Sequence, residues 1–219
     1  MASLSPLTGT LGHRRAAHLL RRTSYRYTKA KVDELAGKTA NQAVASLLVY
    51  NPLQMTQPVY DQSASGGPKN VVWILPPIPA TSEPDEDFVL RRYIMSWWVH
   101  EALNDPGIAH KMALFFHQHM IVTANAFRNT HFFDYLSLMR WGALGNFKKL
   151  ATKLVTDNCM LRYLNNQQNT KVNPNENFAR EFFELFTIGK GPQAGPGDYT
   201  NYTEDDIVQA ARVFTGFRV

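Results

Sequence analysis

Apolar residues recur at helical spacing along most of this chain. Ala16, Leu19 and Leu20 form a short stripe, while Arg14, His18 and Arg22 stand four apart on another face; together they predict a helix ending near Thr23 to Tyr27. Thr28 is placed to cap a helix through Leu35 that Gly37 terminates. Thr39 followed by Gln42 has the spacing of a capping box, and predicts a helix through Val49 that Asn51-Pro52 stops. Further helices are predicted over 85–103, 108–121, 129–141, 146–156, 159–165, 174–188 and 203–215.

Two stretches break the pattern. Residues 61–84 hold five prolines, two glycines and three serines around Val71-Val72-Trp73-Ile74-Leu75. That apolar pentad suits one short strand, but prolines 76, 77 and 79 forbid an interior strand, so the stretch reads as a long irregular loop with a packed middle. Residues 189–202, with four glycines and two prolines, read as a second loop. No fixed repeat is visible, which disfavours a solenoid. The expected fold is all-α, a single helical domain or domain fragment over 1–219 of orthogonal or bundle-like type.

Composition narrows the class. With 44% hydrophobic and 19% charged positions over 219 residues, the chain has the material for a packed core and is not broadly disordered. Its single Cys159 excludes a disulfide scaffold and any multi-cysteine metal site built from this chain alone. No apolar run approaches the length of a membrane-spanning helix, and the first twelve residues lack the order of a secretory signal. Charge is uneven: residues 1–50 carry eight Lys and Arg against Asp33 and Glu34, a balance of +6, whereas the rest hold fifteen bases and sixteen acids. A basic segment on a neutral body points either to a solvated face or to an anionic partner. Arg14, His18, Arg21 and Arg22 are the anion-binding candidates; no nucleic-acid motif accompanies them.

Candidate chemistry lies in two helices. On a wheel, residues 176–186 divide into a polar arc of Glu176, Asn177, Arg180, Glu181 and Glu184 and an aromatic arc of Phe178, Phe182, Phe183 and Phe186. The arc serves either as a Glu-Arg-Glu ladder in solvent or as the acidic wall of a cavity, where Glu181 and Glu184 are positioned to ligate a divalent metal. A di-iron bundle needs Glu-x-x-His pairs, which are missing here. His119 falls among Ile108, Met112 and Phe115 in an apolar stripe, and His117 points about 160° away, so one helix cannot aim both at one ion. The expectation is a buried His119, either a satisfied core imidazole or an acid/base or metal-ligand group, and a more exposed His117. Trp97, Trp98 and Trp141 read as core aromatics, and Cys159 has no histidine near it to activate a thiolate.

Several blocks in order carry a resemblance: Arg15-Ala16-Ala17-His18-Leu19-Leu20-Arg21-Arg22, Phe115-Phe116-His117-Gln118-His119, Asn175-Glu176-Asn177-Phe178-Ala179-Arg180-Glu181, and Tyr202-Thr203-Glu204-Asp205-Asp206. The chain resembles the bacterial family catalogued as domain of unknown function 1800. The resemblance implies a mainly helical protein, an association with the cell envelope or export, and a domain that continues past Gly216. The expected function is therefore a binding or structural module of the envelope or of an exported assembly, completed by a carboxy-terminal portion or another chain. The alternatives are a metal-dependent enzyme with a His/Glu-lined cavity and an anionic-polymer binder acting through the basic amino-terminal helix. On this view the helix over 203–215 carries an apolar face around Ile207, Phe214 and Phe217 that is either exposed or buried against a further chain segment or partner.

Overall fold

The fold is a computed structural model that describes residues 7–48, 56–60, 71–72, 74, 84–123 and 128–219. Ten α-helices occur among the described residues: α1 Gly12–Thr23, α2 Lys29–Ala36, α3 Ala40–Leu47, α4 Pro84–Asn104, α5 Ala109–His119, α6 Asn129–Gly142, α7 Phe147–Leu154, α8 Asn158–Tyr163, α9 Glu176–Glu181 and α10 Glu204–Val213. The architecture is thus mostly helical, with two small antiparallel pairs. β1 (Val59–Tyr60) pairs with β2 (Val71–Val72), and β3 (Gln193–Gly195) pairs with β4 (Asp198–Tyr199). The expected loop over 189–202 therefore contains a hairpin, turned by Gly197 at φ +79°. Of the expected loop over 61–84, residues 61–70, 73 and 75–83 lie outside the described residues, and 84 already belongs to α4.

Capping chemistry explains the helix starts. Thr28 accepts from the Lys31 amide and Thr39 makes a complete capping box with Gln42. Asn146, Asp157 and Thr203 cap α7, α8 and α10. Asn175 caps α9 through the Asn177 amide, and its own amide group donates to the carbonyls of Leu164 and Asn165, tying α9 to the end of α8. Asn169 is fully buried and holds three segments together: it donates to Asn166 and to the Ala211 carbonyl and accepts from the Asn175 amide.

Three apolar cores result. Leu11, Leu20, Leu35 and Leu47 close the α1–α3 unit. Ile94, Trp97, Trp98, Tyr135, Met139, Leu150, Met160 and Phe178 belong to the main core of α4–α9. Ala179, Tyr202, Ile207 and Ala211 seal α9 against α10. Trp97 and Trp98 are buried as expected, while Trp141 is half-buried with Lys153 over its ring. Cys159 is fully buried and burial pushes its thiol far up, against thiolate chemistry.

The expectation around α10 is corrected at Ile207. Ile207 is fully buried because it packs with Ala179 of α9, Tyr202 and Ala211 in one cluster. Phe214 is half-buried, its ring edge-on to Phe178 and Phe182, and Phe217 is half-buried; the apolar residue that α10 leaves in solvent is Val213, 74% exposed.

Candidate functional site

The two histidines of α5 exchange the places expected of them. His119 is exposed, its ring stacked on the exposed Phe115 at 6.3 Å. His117 is half-buried. The cause lies in how the helix docks: its buried residues are Ala109, His110 and Ala113, and the two alanines let α5 approach α6 closely. The larger residues Phe115 and His119, which a hydrophobicity count aims inward, therefore face water.

His117 has a defined hydrogen-bond state. The Tyr135 hydroxyl, fully buried on α6, donates to the Met120 carbonyl at 2.7 Å, so toward His117 it is an acceptor. His117 Nδ1, 3.2 Å from that oxygen, carries the proton, and Nε2 keeps its lone pair with no hydrogen-bond partner among the described residues. Burial holds the imidazole below its ordinary pKa, in the neutral form. The ring lines a cleft of about 270 Å³ between α4, α5, α6 and the segment following α1, walled by Trp98, Ala102, Leu114, Phe132 and Leu136, with Tyr25 at its rim. The Lys111 ammonium lies 3.8 Å from the centre of the Tyr25 ring.

The acidic arc is not one continuous wall. α9 ends at Glu181 and continues as a π-helical turn, Phe182–Thr187, closed by the Ile188 and Gly189 amides on the Phe183 carbonyl. A π turn inserts a residue, so an α-helical wheel loses register beyond Glu181. Glu184 is thereby brought to the Tyr202 hydroxyl at 2.9 Å and the Lys190 ammonium at 2.7 Å. Arg180 reaches Glu204 on α10 with both guanidinium arms, at 2.6 and 2.7 Å. Glu181 has no ion-pair partner among the described residues. No hydrogen bond or ion pair joins His117 or His119 to Glu176, Glu181 or Glu184, and no group of three or more His, Cys, Asp and Glu among the described residues is placed to hold a metal ion. No direct contact joins His119 to the Glu181/Glu184 arc.

What the block from Asn175 to Glu204 builds is a clasp: a capped α9, a π turn, and an ion pair to α10. This block also carries much of the resemblance, and a family model described as a protein of unknown function (DUF1800) matches residues 18–219. The chain belongs to that family. No curated protein and no solved structure matches it.

The DUF1800 chain also holds a buried polar cluster that the sequence pattern did not reveal. Asp105 and His110 are almost fully buried, with Asp105 accepting from the Gly107 amide, the His110 amide and His110 Nδ1 at 2.9, 2.7 and 2.8 Å. A carboxylate oxygen that close places a proton on Nδ1 between the two groups, and the Arg140 Nε of α6 approaches the same ring nitrogen at 3.2 Å. Trp98 packs edge-on to the ring at 5.1 Å. The sequence signal available was the Asp-Pro-Gly turn followed by His at the start of a helix, with Asp105 three residues before the N-cap Ile108.

On the amino-terminal unit of the DUF1800 chain the acids are already paired. Asp33 receives Lys29 at 2.7 Å and His13 at 3.1 Å, and Glu34 receives Lys38 and Lys31 at 2.6 and 2.9 Å. Arg14, Arg15, Arg21, Arg22 and Arg26 are exposed and form no ion pair among the described residues; His18 is exposed beside them. No helix among the described residues is long and apolar enough to cross a membrane.

Proposed function

We propose that this chain is a binding module of the bacterial cell envelope or of an exported assembly, and that its amino-terminal unit engages an anionic polymer there. The observation that carries this reading is the division of charge around α1. Asp33 and Glu34 are each held by lysines or histidine, while five exposed arginines have no carboxylate partner among the described residues. Arginines left with uncompensated charge raise the local concentration of anions and form bidentate contacts with sulfate, phosphate and carboxylate groups. The envelope setting rests on the family resemblance, and further contacts of the module fall to a following portion of chain or to another protein.

The test is salt-dependent binding of the full chain to heparin as the probe. Binding at low ionic strength that falls steeply with salt, and is lost when Arg14, Arg21 and Arg22 are together replaced by Gln, supports the reading. No binding at low salt, or binding indifferent to the triple replacement, rejects it. The competing reading, a divalent-metal enzyme on His119, Glu181 and Glu184, has no shared contact among these groups to support it; elemental analysis of natively purified protein tests it directly.

A further inference from the structure

The cleft lined by His117 is unrelated to the arginine face and has the features of a built small-molecule site. Its walls are apolar side chains from three helices of the main core, so a ligand entering it exchanges water for Trp98, Leu114, Phe132 and Leu136. One wall group breaks that uniformity. His117 offers Nε2 as an acceptor, and the proton count is fixed by its neighbours: Met120 takes the Tyr135 proton, and Tyr135 takes the His117 Nδ1 proton. The chain ends on a main-chain carbonyl, which cannot donate, so the relay runs one way and leaves the unpartnered lone pair on His117. A fixed tautomer in an apolar wall discriminates between a donor and an acceptor on the incoming molecule, because the mismatched group is desolvated without compensation.

We infer that this cleft binds a compact apolar molecule carrying one hydroxyl group, which donates its proton in a hydrogen bond to His117 Nε2. Size follows from the volume: about 270 Å³ equals roughly nine waters at about 30 Å³ each, the scale of a substituted phenol rather than of a lipid or a peptide. No carboxylate lines the cleft, so nothing in it selects a cation.

The probe pair is 4-tert-butylphenol and its methyl ether, 4-tert-butylanisole, which keeps the shape and lacks the donor. With the full chain, calorimetry should show saturable binding of the phenol at least ten-fold tighter than of the ether. His117→Phe should bring the two probes to equal, weak affinity. In the unmodified protein the 15N resonance of His117 Nε2 should move on addition of the phenol and stay in place with the ether. That last measurement needs no variant and decides the matter if His117→Phe does not fold. Failure of the phenol to saturate, equal affinity of phenol and ether for the unmodified protein, or an unmoved Nε2 resonance on phenol binding would each overturn the inference. None of these outcomes depends on the heparin result.

Discussion

Arg180 and Glu204 meet as a planar fork on a carboxylate, and that pair, rather than any contact inside α9, is what the arginine of the Asn-Glu-Asn-Phe-Ala-Arg-Glu block serves. Glu176, one turn earlier on the same helix, is 3.8 Å from the guanidinium and Glu204 is 2.6 Å. Bidentate geometry is the case in which a half-exposed ion pair contributes most, about 1 kcal/mol. Arg180→Met and Glu204→Gln should each destabilise by about that amount, and the double variant no more than either alone. Urea denaturation of the four proteins measures the coupling; additive losses would show that the two residues act separately. Arg180→Met combined with Glu184→Gln should be close to additive, because Glu184 is held by Tyr202 and Lys190.

Gly142 closes the contact between α6 and α7. A Cβ at this position comes within 2.6 Å of Leu150 Cδ1, and Leu150 is fully buried with nowhere to retreat. Gly142→Ala should therefore destabilise by about 1–3 kcal/mol through overpacking, against the gain in helix propensity expected of an exposed site. Adding Leu150→Val should recover part of the loss. Thermal denaturation of the single and double variants checks the sign: recovery identifies the clash, whereas a further loss assigns the effect to the backbone.

The helix starts were legible because capping is local: Thr28 and Thr39 with Gln42 read directly as N-caps and are so used. The orientation of α5 was not, since wheel arguments weigh large apolar residues, and this helix docks through Ala109 and Ala113. That single difference exposes His119 and brings His117 to the cleft. The π turn after Glu181 was equally invisible, because nothing in Phe182-Phe183-Glu184-Leu185-Phe186-Thr187 marks an inserted residue, and it moves Glu184 away from the arc assigned to it. Long-range pairings such as Arg180 with Glu204, or Tyr135 with His117, depend on tertiary placement that no spacing rule encodes.

Asp105 should anchor stability at low pH. Burial raises its pKa, but the hydrogen bonds from the His110 ring, the Gly107 amide and the His110 amide outweigh this and hold it at about 2. A carboxyl depressed in the folded state contributes stability that is present above its unfolded value near 4 and is lost as pH falls through about 2. Asp105→Ala, which leaves three donors unmet, should cost about 3 kcal/mol at neutral pH. Asp105→Asn should flatten the loss of stability between about pH 4 and 2. Urea midpoints across that window decide; an unchanged profile in the Asn variant would mean that other carboxylates set the acid limb.

Asp157 should act in the opposite sense. It caps α8 through the Met160 amide while half-buried, and burial raises its carboxyl to about 6, with the amides of Met160 and Cys159 opposing the rise and Asp134 adding to it. A carboxyl raised in the folded state favours folding most when both states are protonated, below about pH 4, and that contribution is lost as pH rises through about 6. Asn caps a helix about as well as Asp and carries no charge. Asp157→Asn should therefore raise stability at pH 7 by about 2 kcal/mol and leave it nearly unchanged at pH 4. His117 and His131 titrate against this trend, since burial lowers both and their contribution falls as pH drops below about 6.5. They are present in both proteins, so the difference between wild type and Asp157→Asn across pH 4 to 7 isolates the carboxyl. A difference that does not grow as pH rises through about 6 would show that water reaching the half-buried Asp157 offsets its desolvation, so that the fold does not bear its charge.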